Sequence, residues 1–172
     1  NAELNDLFRW TDDIGMFASD RPINDTENHS GSCIHRTDFC DQTCYNIKLY
    51  KMYKNMANRD DRCETIWRKL STFSAMEVRK FLASKRKQVS RVRHMTRGEA
   101  FTNAADVFKV KAMCLDNTDT LWWIPTRAWR NPELRDLIER ELMPLSNCAI
   151  NASFDPSNTD DEWRMMQDRD WN

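Results

Sequence analysis

Histidine and cysteine side chains are the groups in this sequence best suited to chemistry. A histidine beside a serine or cysteine nucleophile can serve as a general base, and both residue types bind transition metals. The three histidines, His29, His35 and His94, lie outside any G-x-S-x-G nucleophile elbow or H-E-x-x-H zinc motif. We therefore expect no catalytic residue, metal ligand or cofactor, and the sequence favours a protein that is not an enzyme. A metal site at His35, near Cys33 and Cys40, is the alternative.

The cysteines are even in number and scattered along the chain rather than grouped into C-x-x-C pairs, which favours disulfide bonds over zinc. Cys40 and Cys44 lie four residues apart, so on a helix both sulfurs leave the same side and reach a neighbouring element rather than each other. We expect this helix to be tied to Cys63 and to Cys33 or a later cysteine, and the last two cysteines to pair. Other connectivities, and a redox or metal role, stay open. The predicted disulfide residues are Cys33, Cys40, Cys44, Cys63, Cys114 and Cys148.

Three N-glycosylation sequons support a secreted protein, since Asn24, Asn28 and Asn151 each precede a serine or threonine by two positions. No apolar run reaches the roughly 18 residues needed to cross a bilayer, so we expect no transmembrane segment. No apolar signal segment stands at the amino terminus of this chain. We therefore expect a mature extracellular glycoprotein whose signal peptide has been removed, or an ectodomain. A cytosolic protein with reduced thiols is the alternative.

The composition favours a helical domain. Only 3 glycines and 5 prolines occur, whereas sandwiches and barrels need many turn residues with special backbone angles. We predict an all-α, disulfide-linked helical bundle with irregular loops over residues 1–150, followed by an acidic segment with tryptophans over residues 151–172. A formal net charge of -1 excludes a bulk field that attracts nucleic acid or acidic membranes.

Apolar residues recur three or four positions apart along most of the chain, as on one face of a helix. Ser74 and Thr96 each precede a glutamate by three positions, which is a capping-box pattern. Asn131 followed by proline is a helix start. These signals predict helices that begin near Asp38, Asp61, Ser74, Thr96 and Asn131 and end near Met56, Phe73, Val92, Cys114 and Leu142.

The cysteine and aspartate spacing resembles the two-helix core of secreted phospholipases A2. The residues that carry this resemblance are Trp10–Asp13, Cys33–Cys40, Cys44 and Asp60–Cys63. In that family a histidine-aspartate pair on the first long helix works with calcium. Here Thr37 stands where the histidine would precede Asp38, and the glycine-rich calcium loop has no counterpart. The resemblance therefore implies a relative with an altered or lost active site.

Two sets of residues are candidate binding surfaces. The basic set crowds the predicted third helix and could bind sulfated glycans, or form a solvated face. It comprises Arg79, Lys80, Lys85, Arg86, Lys87, Arg91 and Arg93. The aromatic set, Trp122, Trp123 and Trp129, could anchor a partner or fill the core.

Extracellular recognition is the function that the sequence favours. The domain would bind an extracellular protein partner through a rigid, disulfide-stabilised helical surface, as a ligand, receptor module or effector. The alternatives are a phospholipase-like secreted protein and a sulfated-glycan-binding protein that uses the predicted helix over residues 79–97.

Overall fold

A five-stranded mixed sheet organises this chain, so the all-α prediction is wrong. The computed structural model describes residues 2–85 and 91–172. The strands are β1 Arg9–Thr11, β2 Met16–Asp20, β3 Arg91–Arg97, β4 Leu121–Thr126 and β5 Cys148–Ala152. They lie in the order β1-β2-β3-β4-β5. The first two strands are antiparallel, and each later strand is parallel to the one before it. Parallel neighbours joined by helices define an α/β fold.

Helices connect the parallel strands, and a helix also precedes β1 and another follows β5. They are α1 Ala2–Leu7, α2 Asp38–Thr43, α3 Tyr45–Met52, α4 Lys54–Lys69, α5 Ala75–Ala83, α6 Ala104–Asp116, α7 Pro132–Glu141 and α8 Asp160–Asp168. Short 3-10 turns occur at Thr72–Ser74 and Ala128–Arg130. Thus α2 to α5 join β2 to β3, α6 joins β3 to β4, and α7 joins β4 to β5.

Strand β3 replaces the end of the predicted third helix. Arg91 and Arg93 alternate with Val92 and His94, and the two latter side chains are buried. This two-residue period is that of a strand with one face on the core. Helix α5 has already ended at Ala83, so the basic residues do not share one helix.

One face of the sheet forms the core with the helices. The register aligns Phe17, Val92, Trp122 and Cys148 in one row across β2 to β5. All four side chains are buried in a cluster that includes Trp67 from α4, with further residues from α5, α6 and α7. The next row, which faces the other way, is less apolar and contains Arg93 and Trp123.

The helix starts are only partly as predicted. Asn131 caps α7 through bonds to the Glu133 and Leu134 amides, which confirms that start. Helix α2 begins at Asp38 as predicted, and its cap is Thr37, whose hydroxyl accepts from the Cys40 amide. Thr96 lies inside β3, and Asn103 caps α6 instead. Both asparagine caps supply a side-chain oxygen to an amide that the helix leaves unsatisfied.

The predicted disulfide bonds are wrong, because all six cysteines are free thiols. The thiols of Cys114 and Cys148, which the sequence predicts to pair, lie within hydrogen-bonding distance of each other but form no disulfide bond. The Cys63 thiol donates to the Asp6 carbonyl oxygen over 3.2 Å. An α/β core of this size can be stable without covalent links. The disulfide bonds were the main support for a secreted protein with glycans at Asn24, Asn28 and Asn151, and that support is absent.

Among the described residues, no helix is both long and apolar enough to cross a membrane.

The buried imidazole of His94 makes stability depend on pH. It lies between Trp67 and Trp122 with its Nδ1 3.0 Å from the Ser19 hydroxyl oxygen. Burial, and then the charge of Arg21, lower its pKa to about 3, while the Asp106 carboxylate opposes the shift. In the unfolded chain a histidine titrates near 6.5. The contribution of neutral His94 to the free energy of unfolding is therefore fully present above pH 6.5, and it is lost as the pH falls toward the folded-state pKa.

We expect the free energy of unfolding to fall by about 2 kcal/mol between pH 7 and pH 5 through this histidine alone. Urea titrations at a series of pH values measure the slope. His94→Gln should flatten it even if the variant is less stable at every pH. An unchanged slope in that variant would assign the dependence to other groups.

Candidate functional site at the carboxyl edge of the sheet

The carboxyl ends of the parallel strands β3, β4 and β5 meet at one edge of the sheet, where α/β proteins commonly bind ligands. A cavity of about 220 Å³ lies at this edge. Its sheet wall consists of Met95–Glu99 after the middle of β3, Pro125–Arg127 at the end of β4, and Ser153 after β5, together with Arg93. We call it the carboxyl-edge pocket.

The segment between β2 and α4 forms the opposite wall. It contributes Cys33, Cys40 and Cys44, together with Arg36. The segment is anchored at its middle, where the Thr37 hydroxyl donates to Asp155 over 2.6 Å and Arg130 donates to the His35 carbonyl oxygen over 3.1 Å. Helices α2 and α3 bury no residue. The three cysteines are therefore held over the sheet mainly by polar contacts.

Cys33 and Cys40 of this wall are poor nucleophiles at neutral pH. Burial raises the pKa of Cys33 to about 12, and the nearby Glu99, Cys40 and Cys44 add to the rise. Burial also raises the pKa of Cys40, although Arg127 and Arg36 oppose the shift. Because reactive cysteines have lowered thiol pKa values, neither residue has the character of a catalytic nucleophile.

Four arginines line the carboxyl-edge pocket, and three of them have carboxylate partners. Arg97 contacts Asp60 over 2.7 Å and Asp20 over 3.0 Å. Arg36 contacts Asp41 over 3.2 Å, and Arg127 contacts Asp155 over 2.9 Å. These pairs stabilise the walls and leave the pocket rich in guanidinium groups.

Arg93 differs from the other three. Its guanidinium carbon lies 4.7 Å from the centre of the Trp123 ring, which is a cation–π contact. The Trp123 indole in turn donates to the Asn151 side chain over 2.7 Å, which holds the ring in place. Within residues 2–85 and 91–172, the Arg93 Nε is buried without a hydrogen-bond partner. An anionic ligand could bind the Arg93 guanidinium without breaking an existing ion pair.

Glu99 is the buried acid of the pocket. Its carboxylate accepts bonds from the Thr126 hydroxyl over 2.5 Å, the Arg127 amide over 2.9 Å and the Phe101 amide over 3.1 Å. Burial raises the pKa of Glu99, although these three bonds oppose the shift. The side chain therefore links the end of β3 to the end of β4 and shapes the pocket wall.

The backbone of β3 leaves regular strand geometry at the pocket. Met95 has φ 62 and Gly98 has φ 78. A positive φ is costly for methionine, and such strain persists where the surrounding structure imposes it, often at functional sites. The Met95 amide donates to the buried Ser19 hydroxyl over 3.3 Å, which helps to hold this conformation.

The candidate binding residues from the sequence are only partly brought together. Trp122 and Trp129 lie in the core, whereas Trp123 contacts Arg93, which lines the pocket. Arg79 and Lys80 lie exposed on α5, Lys85 follows α5 with its ammonium 4.1 Å from the Phe81 ring centre, and Arg91 is exposed at the start of β3. Arg86 and Lys87 lie outside the described residues.

Of the histidines, His94 lies in the core, His29 contacts Thr65, and His35 contacts the Phe101 carbonyl oxygen. Among the described residues, no three histidine, cysteine, aspartate or glutamate side chains are close enough together for a single metal ion. Sequence reasoning missed Glu99, Arg127 and Arg36. Glu99 did stand out in the sequence as part of the capping-box pattern Thr96–Glu99. The same residues also fit a strand that ends in a glycine turn.

Comparison with known proteins identifies the family but adds no activity. A family model described as gene product 88 matches residues 18–171, which include β3, β4, β5 and the whole carboxyl-edge pocket. No curated protein and no solved structure matches this chain. None of these findings links the chain to phospholipases A2. The match extends over nearly the full sequence, and the chain therefore belongs to the gene product 88 family.

Proposed function

We propose that this protein binds a small anionic molecule, a carboxylate or phosphate compound, in the carboxyl-edge pocket. The observation that carries the proposal is Arg93, whose buried Nε faces no partner in the described part of the chain while three further arginines line the same cavity. The planar guanidinium donates two parallel bonds to carboxylate or phosphate oxygens. Trp123 holds the guanidinium plane from one side.

The size of the pocket limits the ligand. Sites for drug-sized molecules occupy about 300–1,000 Å³, and this cavity is smaller, at about 220 Å³. A metabolite with one or two anionic groups fits better than a polymer. The prediction of a protein-binding role stays a prediction, but the disulfide bonds on which it depended are absent.

The charge balance also favours an anion. Among the described residues that line the cavity, Glu99 is the one acid, against four arginines, and burial raises the pKa of its carboxyl. Because Arg36, Arg97 and Arg127 already have carboxylate partners, an incoming anion would be attracted chiefly by Arg93. This electrostatic contribution should weaken as ionic strength rises.

Calorimetric titration with inorganic phosphate, citrate and glycerol phosphate at low ionic strength tests the proposal. Hydrogen bonds to charged groups contribute about 1.5–3 kcal/mol, so Arg93→Gln should weaken binding more than tenfold. Arg91→Gln is the matched control, because Arg91 lies on the same strand and the same face but outside the pocket. Equal losses in both variants, or no binding by the unmodified protein, would contradict the proposal.

A further inference from the structure

The six cysteines fall into two groups of different character. Cys63, Cys114 and Cys148 are buried, and each is part of the hydrophobic core. Cys33, Cys40 and Cys44 are only partly buried and line one wall of the carboxyl-edge pocket. The packing of the core accounts for the first group, but it does not account for three thiols that share one cavity.

We propose that Cys33, Cys40 and Cys44 bind an iron–sulfur cluster, with one iron left open toward the arginines of the sheet wall. Thiolates are the protein ligands of such clusters, and soft sulfur ligands select iron–sulfur centres, zinc and copper(I) over hard cations. Each thiol releases its proton when its sulfur binds iron. Three cysteines leave one coordination position for a small molecule in the cavity.

A cluster can join cysteines that line one cavity without surrounding a single ion. Sulfurs that share one tetrahedral zinc must lie within about 4 Å of one another, because each Zn–S bond is about 2.3 Å long. In the described part of the chain no three potential ligands are arranged for one ion. The three thiols nevertheless share a cavity of about 220 Å³. A centre with several metal atoms spans more widely separated sulfurs.

The charges around the cavity fit the same centre. Three thiolates bring three negative charges, more than a cluster core offsets, so the assembly is anionic. Arg36 lies on the cysteine wall, and Arg93 and Arg127 lie on the opposite wall. Cationic neighbours lower the cost of burying such a centre. The same arginines would orient an anionic molecule toward the open iron.

The weak anchoring of the cysteine segment is an independent observation. Cys40 lies in α2, and Cys44 separates α2 from α3. These helices have 6 and 8 residues and bury no side chain. Helices this short are marginal without tertiary packing. Three sulfur–metal bonds would join the segment to one centre and give it the support that a hydrophobic face supplies elsewhere.

Anaerobic incubation of the purified protein with equal amounts of ferrous and ferric iron and with sulfide, followed by desalting, tests the proposal. We expect about four irons and four sulfides per chain, a broad visible absorption and its loss on reduction. The triple variant Cys33→Ser, Cys40→Ser, Cys44→Ser should retain less than a tenth of the iron. Cys63→Ala is the control for a cysteine outside the pocket, and it should retain all of it. The thermal unfolding of each variant shows whether it is folded.

A second measurement does not depend on colour or metal content. Limited proteolysis should cut the segment over residues 38–53 in the untreated protein at least tenfold faster than after loading with iron and sulfide. Equal iron in the parent protein and the folded triple variant would overturn the proposal. So would no iron uptake by the parent protein, or stoichiometric binding of zinc in place of the cluster. Because these readouts measure metal and proteolysis, they stand apart from anion binding at Arg93.

Discussion

Replacement of Arg21 by methionine is expected to lower the free energy of unfolding by about 3–5 kcal/mol, because it removes the cation that neutralises two buried carboxylates. Arg21 is 2% exposed. It donates to Glu64 through Nε over 2.6 Å and Nη2 over 2.9 Å, and to Asp106 through Nη1 over 2.9 Å. Nη1 also donates to the carbonyl oxygens of Glu99 and Ala100. One side chain thus joins β2, α4, α6 and the turn after β3.

The direction of the pKa shifts explains the size of this effect. Burial alone raises the pKa of Glu64 and of Asp106, but the bonds and charge of Arg21 oppose it, together with Arg68 at Glu64 and with the bonds from Thr102 and Trp67 at Asp106, and both pKa values are lowered. Without Arg21, Asp106 loses its cationic partner and Glu64 keeps only the exposed Arg68, so each carboxyl must be buried with its charge poorly compensated or take up a proton. Both outcomes cost free energy.

Arg68→Met is the matched control for this prediction. Arg68 contacts the same Glu64 over 2.7 Å, but its side chain is 54% exposed. An exposed ion pair contributes about 0–1 kcal/mol because solvent screens it. Urea unfolding of both variants at pH 7 measures the difference. Comparable losses in the two variants would show that Arg21 acts as an ordinary surface charge.

Alanine at Gly98 is expected to destabilise the protein far more than alanine at Gly15. Both glycines have positive φ, 78 at Gly98 and 60 at Gly15, so both variants carry the left-handed backbone cost of about 1–2 kcal/mol. A Cβ at Gly98 would lie 2.5 Å from the Ser32 hydroxyl oxygen and 2.6 Å from the Arg21 carbonyl oxygen. At Gly15 it would meet no atom within 4 Å.

The additional clash at Gly98 should cost about 1–3 kcal/mol more, because the backbone of Arg21 must move. Gly31→Ala separates the two effects, since its Cβ would lie 2.5 Å from the Ile23 carbonyl oxygen without a positive φ. Thermal unfolding of the three variants should rank Gly98→Ala as the least stable and Gly15→Ala as the most stable. Equal stability of the Gly98 and Gly15 variants would contradict the steric argument.

Gly98→Ala should also disturb the carboxyl-edge pocket. The Ser32 hydroxyl accepts from the Glu99 amide over 2.9 Å and donates to the Pro22 carbonyl oxygen over 2.8 Å. Displacement of Ser32 therefore moves Glu99 and the start of the cysteine segment together. We expect Gly98→Ala to weaken phosphate binding, whereas Gly15→Ala, which lies outside the pocket, should leave it unchanged.

Local chemistry in the sequence was sufficient to predict several helices. Asn131 and Pro132 predict the start of α7, because the cap and the proline act on adjacent backbone groups. The apolar stripe with Ile66 and Trp67 predicts α4, whose buried face includes both residues. Such signals depend on neighbours a few positions apart, and any fold that contains the helix preserves them.

The sheet was not visible in the same way. Strands β4 and β5 are short, and apolar side chains occupy buried and half-buried positions alike, as at Trp122, Trp123 and Ile124. Their sequences therefore lack the apolar–polar alternation of a strand with one solvated face. Strand β3 does alternate, but its arginines also continued the basic run of the preceding helix. Whether such a run forms a strand depends on partners that lie 20 or more positions away, such as Trp122 opposite Val92.

The sequence alone determines that the site contains cysteines and arginines. It does not determine that these side chains lie close together. Cys33, Arg93, Glu99, Arg127 and Ser153 line one cavity only because the parallel strands place their carboxyl ends at a single edge. Cysteine spacing is compatible with a disulfide, a core thiol or a metal ligand, and the choice depends on distances between atoms far apart in the chain. Local free energies determined the helices, whereas long-range packing of the sheet decided what those side chains can do.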